Sequence, residues 1–203
     1  MTEPLNAVEA ESTLSPHLPK IAGCIELGWR RWLTLLKQDS ELGIVISARA
    51  RANLVYDFIR YEAVNAFDGY DDVKVGDSRG FLLLTFDGKI VLRFKKFRDR
   101  KLRTSGVPTQ QRREYANQVL PGLEALTHLV AGYLPDKEGL GLERMAITCS
   151  LDDDQLWVLE LDLGLDETGV TAPVAPMPSA PQRDTIVRPK RREIPDQTGT
   201  EER

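Results

Sequence analysis

Long hydrophobic runs are missing from this chain. Its longest apolar stretches, such as Phe81-Leu82-Leu83-Leu84, end after a handful of residues, whereas a membrane span needs about 20. The N-terminus carries Glu3, Glu9 and Glu11 but no early lysine or arginine, whereas a secretory signal opens basic and continues apolar. A cytoplasmic setting without a membrane partner is therefore expected. Cysteine is scarce: Cys24 and Cys149 stand far apart in apolar surroundings, which reads as two buried, reduced thiols rather than a disulfide. Histidine is equally scarce. His17 and His128 form no HExxH helix and have no second ligand nearby, which argues against zinc. His128, within Leu126-Thr127-His128-Leu129, reads as a half-buried strand histidine rather than a base. The glycine-rich phosphate loops GxxxxGK[ST] and GxGxxG are absent, as is the GxSxG elbow. No cofactor is expected.

What the chain does contain suits one water-soluble domain: 203 residues, 41 % of them hydrophobic and 29 % charged. Residues 1–16 lack a periodic apolar pattern and read as a flexible N-terminus. From Leu18, the residues Ile21, Ile25, Trp29, Trp32, Leu33 and Leu36 recur at steps of three and four, the stripe of an amphipathic helix. A second helix is expected over residues 47–67, closed by Asp68-Gly69. Ile44, Val45 and Ile46 before it are equally compatible with a short strand.

Next come two β-rich runs, residues 79–86 and 89–97, joined by Asp87-Gly88, the dipeptide that favours a type I′ hairpin turn. A two-residue loop would set Phe86 opposite Lys89. Phe81, Leu83, Ile90, Leu92 and Phe94 would then share the core face, and Leu82, Leu84, Phe86, Lys89, Val91, Arg93 and Lys95 the other. Pro108-Thr109-Gln110 looks like the start of a helix running to about Leu120, followed by a strand over 127–134. A second hairpin pairs 144–151 with 156–163. Its Asp152-Asp153-Asp154 turn lacks the spacing of a calcium loop and reads as a solvated tip. Beyond residue 165 half of the twelve prolines gather and no aromatic residue occurs; such a tail cannot bury enough apolar surface to offset its ordering entropy. It carries a basic cluster, Arg188-Pro189-Lys190-Arg191-Arg192, that would serve as an electrostatic tether.

The fold expected is α+β: a mostly antiparallel sheet of two hairpins, two N-terminal helices, one intervening helix and a disordered C-terminal tail. Residues 17–164 would be the domain and 165–203 the tail.

The net charge of −4 conceals segregation. Lys89, Arg93, Lys95, Lys96, Arg98, Arg100, Lys101, Arg103, Arg112 and Arg113 fall within 25 residues, opposed only by Asp99. One reading makes these charges edge protection for a solvated strand. A second is nucleic-acid binding: Lys89, Arg93, Lys95 and Lys96, with Arg98, Arg100, Lys101 and Arg103 in the following loop, would meet phosphates while Phe86 stacks on a base. A third is docking onto an acidic protein, where charge sets on-rate and register; a second copy of the chain is a further candidate partner. No recognition helix or zinc finger supports base-specific readout. A metal-dependent reading also exists. Glu62, Asp87 and Lys95 echo the layout of restriction-endonuclease-like enzymes, in which acidic residues hold a metal beside a lysine. Here Arg93 stands two residues before the lysine, where that layout needs a carboxylate.

Several stretches also carry a resemblance. Val91-Leu92-Arg93-Phe94-Lys95-Lys96-Phe97, Gly106-Val107-Pro108-Thr109-Gln110-Gln111, Leu120-Pro121-Gly122, Ile147-Thr148-Cys149 and Trp157-Val158-Leu159-Glu160-Leu161 resemble prokaryotic proteins of prophage and mobile-element regions, encoded beside ImmA/IrrE-type peptidases. The resemblance covers roughly residues 50–163. It implies a non-enzymatic, regulatory or toxin–antitoxin-like role and transfers no catalytic residue.

Overall fold

The computed structural model describes residues 3–78, 80–104, 109–151 and 154–162, which form an α+β fold. Four helices precede the sheet: α1 (Ala7–Leu14), α2 (Leu18–Gln38), α3 (Leu42–Val45) and α4 (Ala48–Phe67). Strands β1 (Val73–Ser78), β2 (Phe81–Phe86) and β3 (Ile90–Lys96) follow, then α5 (Gln110–Ala116), β4 (Thr127–Pro135), β5 (Leu142–Leu151) and β6 (Asp154–Leu161). The strands lie side by side in chain order, antiparallel except where β3 meets β4. That one parallel pair requires a crossover, and α5 travels in it.

The expected amphipathic helix is α2, whose Ile21, Ile25, Trp29 and Trp32 are buried. It crosses α4 at Gly28, where an added Cβ would stand 2.9 Å from the backbone nitrogen of Ile59. Ser47 caps α4 by accepting the Ala50 N–H (3.2 Å), and Gly69 (φ +79°) follows its end. Residues 44–46 do not form a strand; they belong to the short helical turn α3 and its cap, where Ile44 and Val45 are exposed.

The flexible N-terminus expected over residues 1–16 is overturned for its described part. Asn6 and Glu9 form a reciprocal capping box at the start of α1, and Ala10 and Leu14 are completely buried. Leu5 is tied down as well: its N–H donates to Thr127 Oγ1 (2.9 Å), and its carbonyl accepts from Trp157 Nε1 (3.0 Å). Two apolar positions on a single short helix are too few to register as a periodic stripe.

The helices α1–α4 bury one sheet face, formed by Leu82, Leu84, Phe86, Ile90, Leu92, Phe94, Leu129, Ala131 and their neighbours. A smaller layer covers the other face. There Tyr115 and Leu120 pack on Leu83 and Val91, and Leu102 packs with Phe97, Leu134 and Ala146. The expected face assignment in the first hairpin is therefore wrong for β2. Asp87 (φ +48°) and Gly88 (φ +61°) both take the left-handed backbone that a type I′ turn needs, but the loop also takes in Lys89, so Phe86 pairs with Ile90. A one-residue change of register carries a strand's side chains to the opposite face, which is why Phe81 and Leu83 share a side with Arg93 rather than with Ile90. Strand β1 was not anticipated; Gly76 and two polar residues blur its alternation. The tail expected over 165–203 and the turn residues Asp152 and Asp153 lie outside the described residues.

Candidate polyanion interface

Strand β3 is third of six, so its cations do not guard an edge. Alternation along the strand sends Val91, Arg93 and Lys95 to the α5 side and Ile90, Leu92 and Phe94 to the α1–α4 core. Arg93 is only 9 % exposed. Its guanidinium carbon lies 3.7 Å from the centroid of the Tyr115 ring, and its Nε has no hydrogen-bond partner. Burial lowers the pKa of this arginine, and neighbouring Arg112 adds to the effect.

Tyr115 is a fixed platform. Its hydroxyl lies 2.6 Å from the Leu129 carbonyl and 3.0 Å from that of Val91, so its proton bridges the parallel pair β3–β4. His128 also stacks against this ring, 4.9 Å between centroids. Its two ring nitrogens face the carbonyls of Tyr115 (3.2 Å) and Leu123 (3.1 Å), and burial lowers its pKa. Gln118, in the left-handed region at φ +59°, locks the neighbourhood further. It donates to the His128 and Ser150 carbonyls and accepts the His128 N–H. This inward turn ends α5 at Ala116, four residues before the expected end.

Lys95 lies beside Arg93, with its ammonium 4.8 Å from the centroid of the Phe81 ring. Burial, then Arg93, then Arg112 push its pKa down to about 8. Arg112 comes from α5, capped by Thr109, and its Nη2 donates to the Thr104 carbonyl (3.1 Å), tying the helix to the loop after β3. Among the described residues neither Arg93 nor Lys95 forms an ion pair.

The loop itself is ordered by its own bonds. Phe97 bridges to Thr104, the Arg98 N–H donates to the Arg103 carbonyl, and Leu102 (φ +56°) turns inward and is buried. The Phe97 ring lies on Gly132 of β4, in space that a Cβ at that position would occupy. Asp99 binds both Arg98 (3.4 Å) and Arg103 (2.7 Å), and these arginines hold its carboxyl below the usual range. Arg100 turns to Glu143 (2.5 Å) on β5, while Lys101 is exposed. Arg144 beside them pairs with Glu160 and donates to the Arg100 carbonyl.

The ten-cation segment is thus divided. Arg93, Lys95 and Arg112 converge, and Arg98, Lys101 and Arg103 continue from them along the loop. Lys89 sits at the hairpin tip, six positions or roughly 20 Å from Lys95. Lys96 points to the opposite sheet face. Phe86 is 1 % exposed and faces the helical core, so it offers no base a surface; Phe81 and Tyr115, which sequence reasoning did not assign here, are the aromatic members. The parity rule would have found Phe81 had the hairpin register been right.

Comparison with protein-family models, curated proteins and solved structures found none that matches this chain.

The nuclease-like set does not assemble. Glu62 of α4 pairs with Arg31 (2.6 Å) on the helical side, Lys95 occupies the other side of the sheet, and Asp87 is spent on the turn. No group of three or more metal-ligating side chains occurs among the described residues. No helix among them is long and apolar enough to cross a membrane. Cys24 and Cys149 are buried and free, and burial pushes both thiols up to about 12.

Proposed function

We propose that this protein is a non-enzymatic regulatory module that binds nucleic acid along the α5 side of its sheet, through Arg93, Lys95 and Arg112 and then the loop bearing Arg98, Lys101 and Arg103. The resemblance to mobile-element proteins supplies the setting. The observation that carries the reading is the gathering of Arg93, Lys95 and Arg112 on one side of the sheet, where burial first and then the two arginines push the lysine's pKa down to about 8. Like charges gathered without an ion pair on Arg93 or Lys95 are relieved by a bound anion. A phosphate chain running from this cluster onto the exposed loop would meet a cation at successive steps.

The test is fluorescence anisotropy of labelled single-stranded and duplex oligonucleotides at about 50 mM salt and above. Binding should weaken as salt rises, by a log–log slope of about −0.7 to −0.9 per phosphate contact. Replacing Lys95 by Met should weaken binding and reduce that slope by about 1. No binding at low salt, or a Lys95→Met protein indistinguishable from wild type, would reject the proposal.

An acidic protein is the second reading, favoured by a specific feature. Asp99 between Arg98 and Arg103, with Glu143 on Arg100, gives the loop mixed charge, which suits a patterned protein surface better than a uniform phosphate chain. Co-purification of an acidic protein that Lys95→Met releases, in the absence of oligonucleotide binding, would select it.

A further inference from the structure

On the other side of the sheet a cavity of about 230 Å³ lies among Trp29, Arg51, Lys96, Tyr133 and the β4–β5 loop around Gly139. Its lining brings the cations Arg51 and Lys96 together beside the rings of Trp29 and Tyr133. Arg51 extends over the Trp32 ring, 5.9 Å from its centroid, and against Gly139, whose φ of +72° lets the loop close on the guanidinium. Lys96 follows on β3, and Arg51 is near enough to depress its pKa further than burial alone does. Neither cation forms an ion pair among the described residues. At the rim, Asp136 is turned into its own loop, where it accepts the Leu140 N–H (2.9 Å), and Glu138 is exposed.

We infer that this cavity is a binding site for a small organic oxyanion, a carboxylate or phosphate group on a short carbon skeleton, held by Lys96 and Arg51. Two partly buried cations that line one cavity without an ion pair among the described residues raise each other's cost, and an anion relieves it. Two charge-assisted hydrogen bonds in a partly dry setting are the strong kind. The volume falls below the roughly 300 Å³ at which drug-sized pockets begin, so the ligand is small; the Trp29 and Tyr133 rings, 5.8 Å apart, provide the apolar wall for its skeleton. The site is independent of the nucleic-acid reading, because Lys96 and Lys95 point to opposite faces of the same strand.

Titration of the full chain with inorganic phosphate, glycerol phosphate and the monocarboxylates from acetate to hexanoate tests this, followed by tryptophan fluorescence and calorimetry. At least one of these anions should saturate the protein below about 10 mM, a range that captures even millimolar affinity. Phosphate compounds alone, or carboxylates alone, would identify which oxyanion the site prefers. Lys96→Gln and Arg51→Gln should each weaken binding at least tenfold, whereas Lys74→Gln, at an exposed position of β1, should leave it unchanged. Both replaced side chains are partly exposed, so the variants should fold, which their thermal unfolding verifies. No saturable response to any of the probes, equal binding by Lys96→Gln and wild type, or an equal loss in Lys74→Gln would overturn the inference.

Discussion

A guanidinium on a central strand, pressed against a buried tyrosine, has lost most of its water and gained no carboxylate among the described residues. The cation–π contact returns about 2 kcal/mol when desolvated, while burying a charge without full pairing costs several. Arg93 therefore should not be optimal for folding. Arg93→Met keeps comparable volume and removes the charge; it should leave the melting temperature unchanged or raise it, by about 1 kcal/mol in unfolding free energy, while weakening oligonucleotide binding at least tenfold. A clear fall in melting temperature on calorimetry would instead make Arg93 a structural member of the Tyr115 cluster. Lys95 gives a second residue-scale prediction. Its pKa is depressed to about 8 from the usual 10.5, so between those values the folded chain has released a proton that the unfolded chain retains. The unfolded state binds more protons there, and stability should rise as pH increases across the window. Lys95→Met should flatten that rise in unfolding curves measured at several pH values. A bound polyanion favours the ammonium, so an NMR titration of Lys95 should move upward when oligonucleotide is added; an unmoved titration would place the ligand elsewhere.

Periodicity and caps made most elements readable from the chain, because they are local. Helices α2 and α4 follow from apolar steps of three and four and from Ser47 and Asp68-Gly69, and β6 follows from the alternation of Trp157, Leu159 and Leu161 with Val158 and Glu160. What was not readable depended on contacts distant in sequence. Whether Lys89 belongs to the turn or to the strand is a one-residue matter, yet it decides that Phe86 enters the helical core and Phe81 meets Lys95. The crossover that makes β3 and β4 parallel, and β3 an interior strand, is likewise invisible in local pattern. In the loop of residues 98–104 the basic residues and the opposing Asp99 were legible, but Leu102 as anchor and which two arginines Asp99 holds were not. Gly132 shows how closely that loop depends on the sheet, since the Phe97 ring occupies the space above it. Gly132→Ala should displace Phe97, lower stability by roughly 1–3 kcal/mol as overpacking does, and loosen Asp99 from Arg98 and Arg103. Denaturant unfolding reads the first effect, and amide exchange at Arg98 and Leu102, faster than in wild type, reads the second. Unchanged exchange would show that the loop holds itself without the ring.

In the whole molecule the two sides of the sheet divide the work unequally. The α1–α4 side carries the large core and, at its margin, the cavity of Arg51 and Lys96; the α5 side has a thinner cover and presents Lys95 and the loop cations. Such a sheet has two edges, β1 and β6, and an uncovered edge is a template for association. The N-terminal segment covers the helical face beside the second of these: the Leu5 carbonyl accepts the Trp157 indole N–H, and Leu14 enters the shared core. Removing residues 1–15 should therefore do more than shorten the chain. It deletes a completely buried leucine, a loss worth about 2–5 kcal/mol when the side chain alone is cut back to alanine, and it bares Trp157. The truncated protein should melt at a lower temperature, show red-shifted tryptophan emission and associate as its concentration rises, measured by light scattering. Leu14→Ala in the full chain separates the causes: it should reproduce the lower melting temperature without the association, because Leu5 still covers the strand. If the truncation instead melts and scatters like wild type, α1 contributes neither core nor cover, and the sheet is protected at β6 by its own side chains.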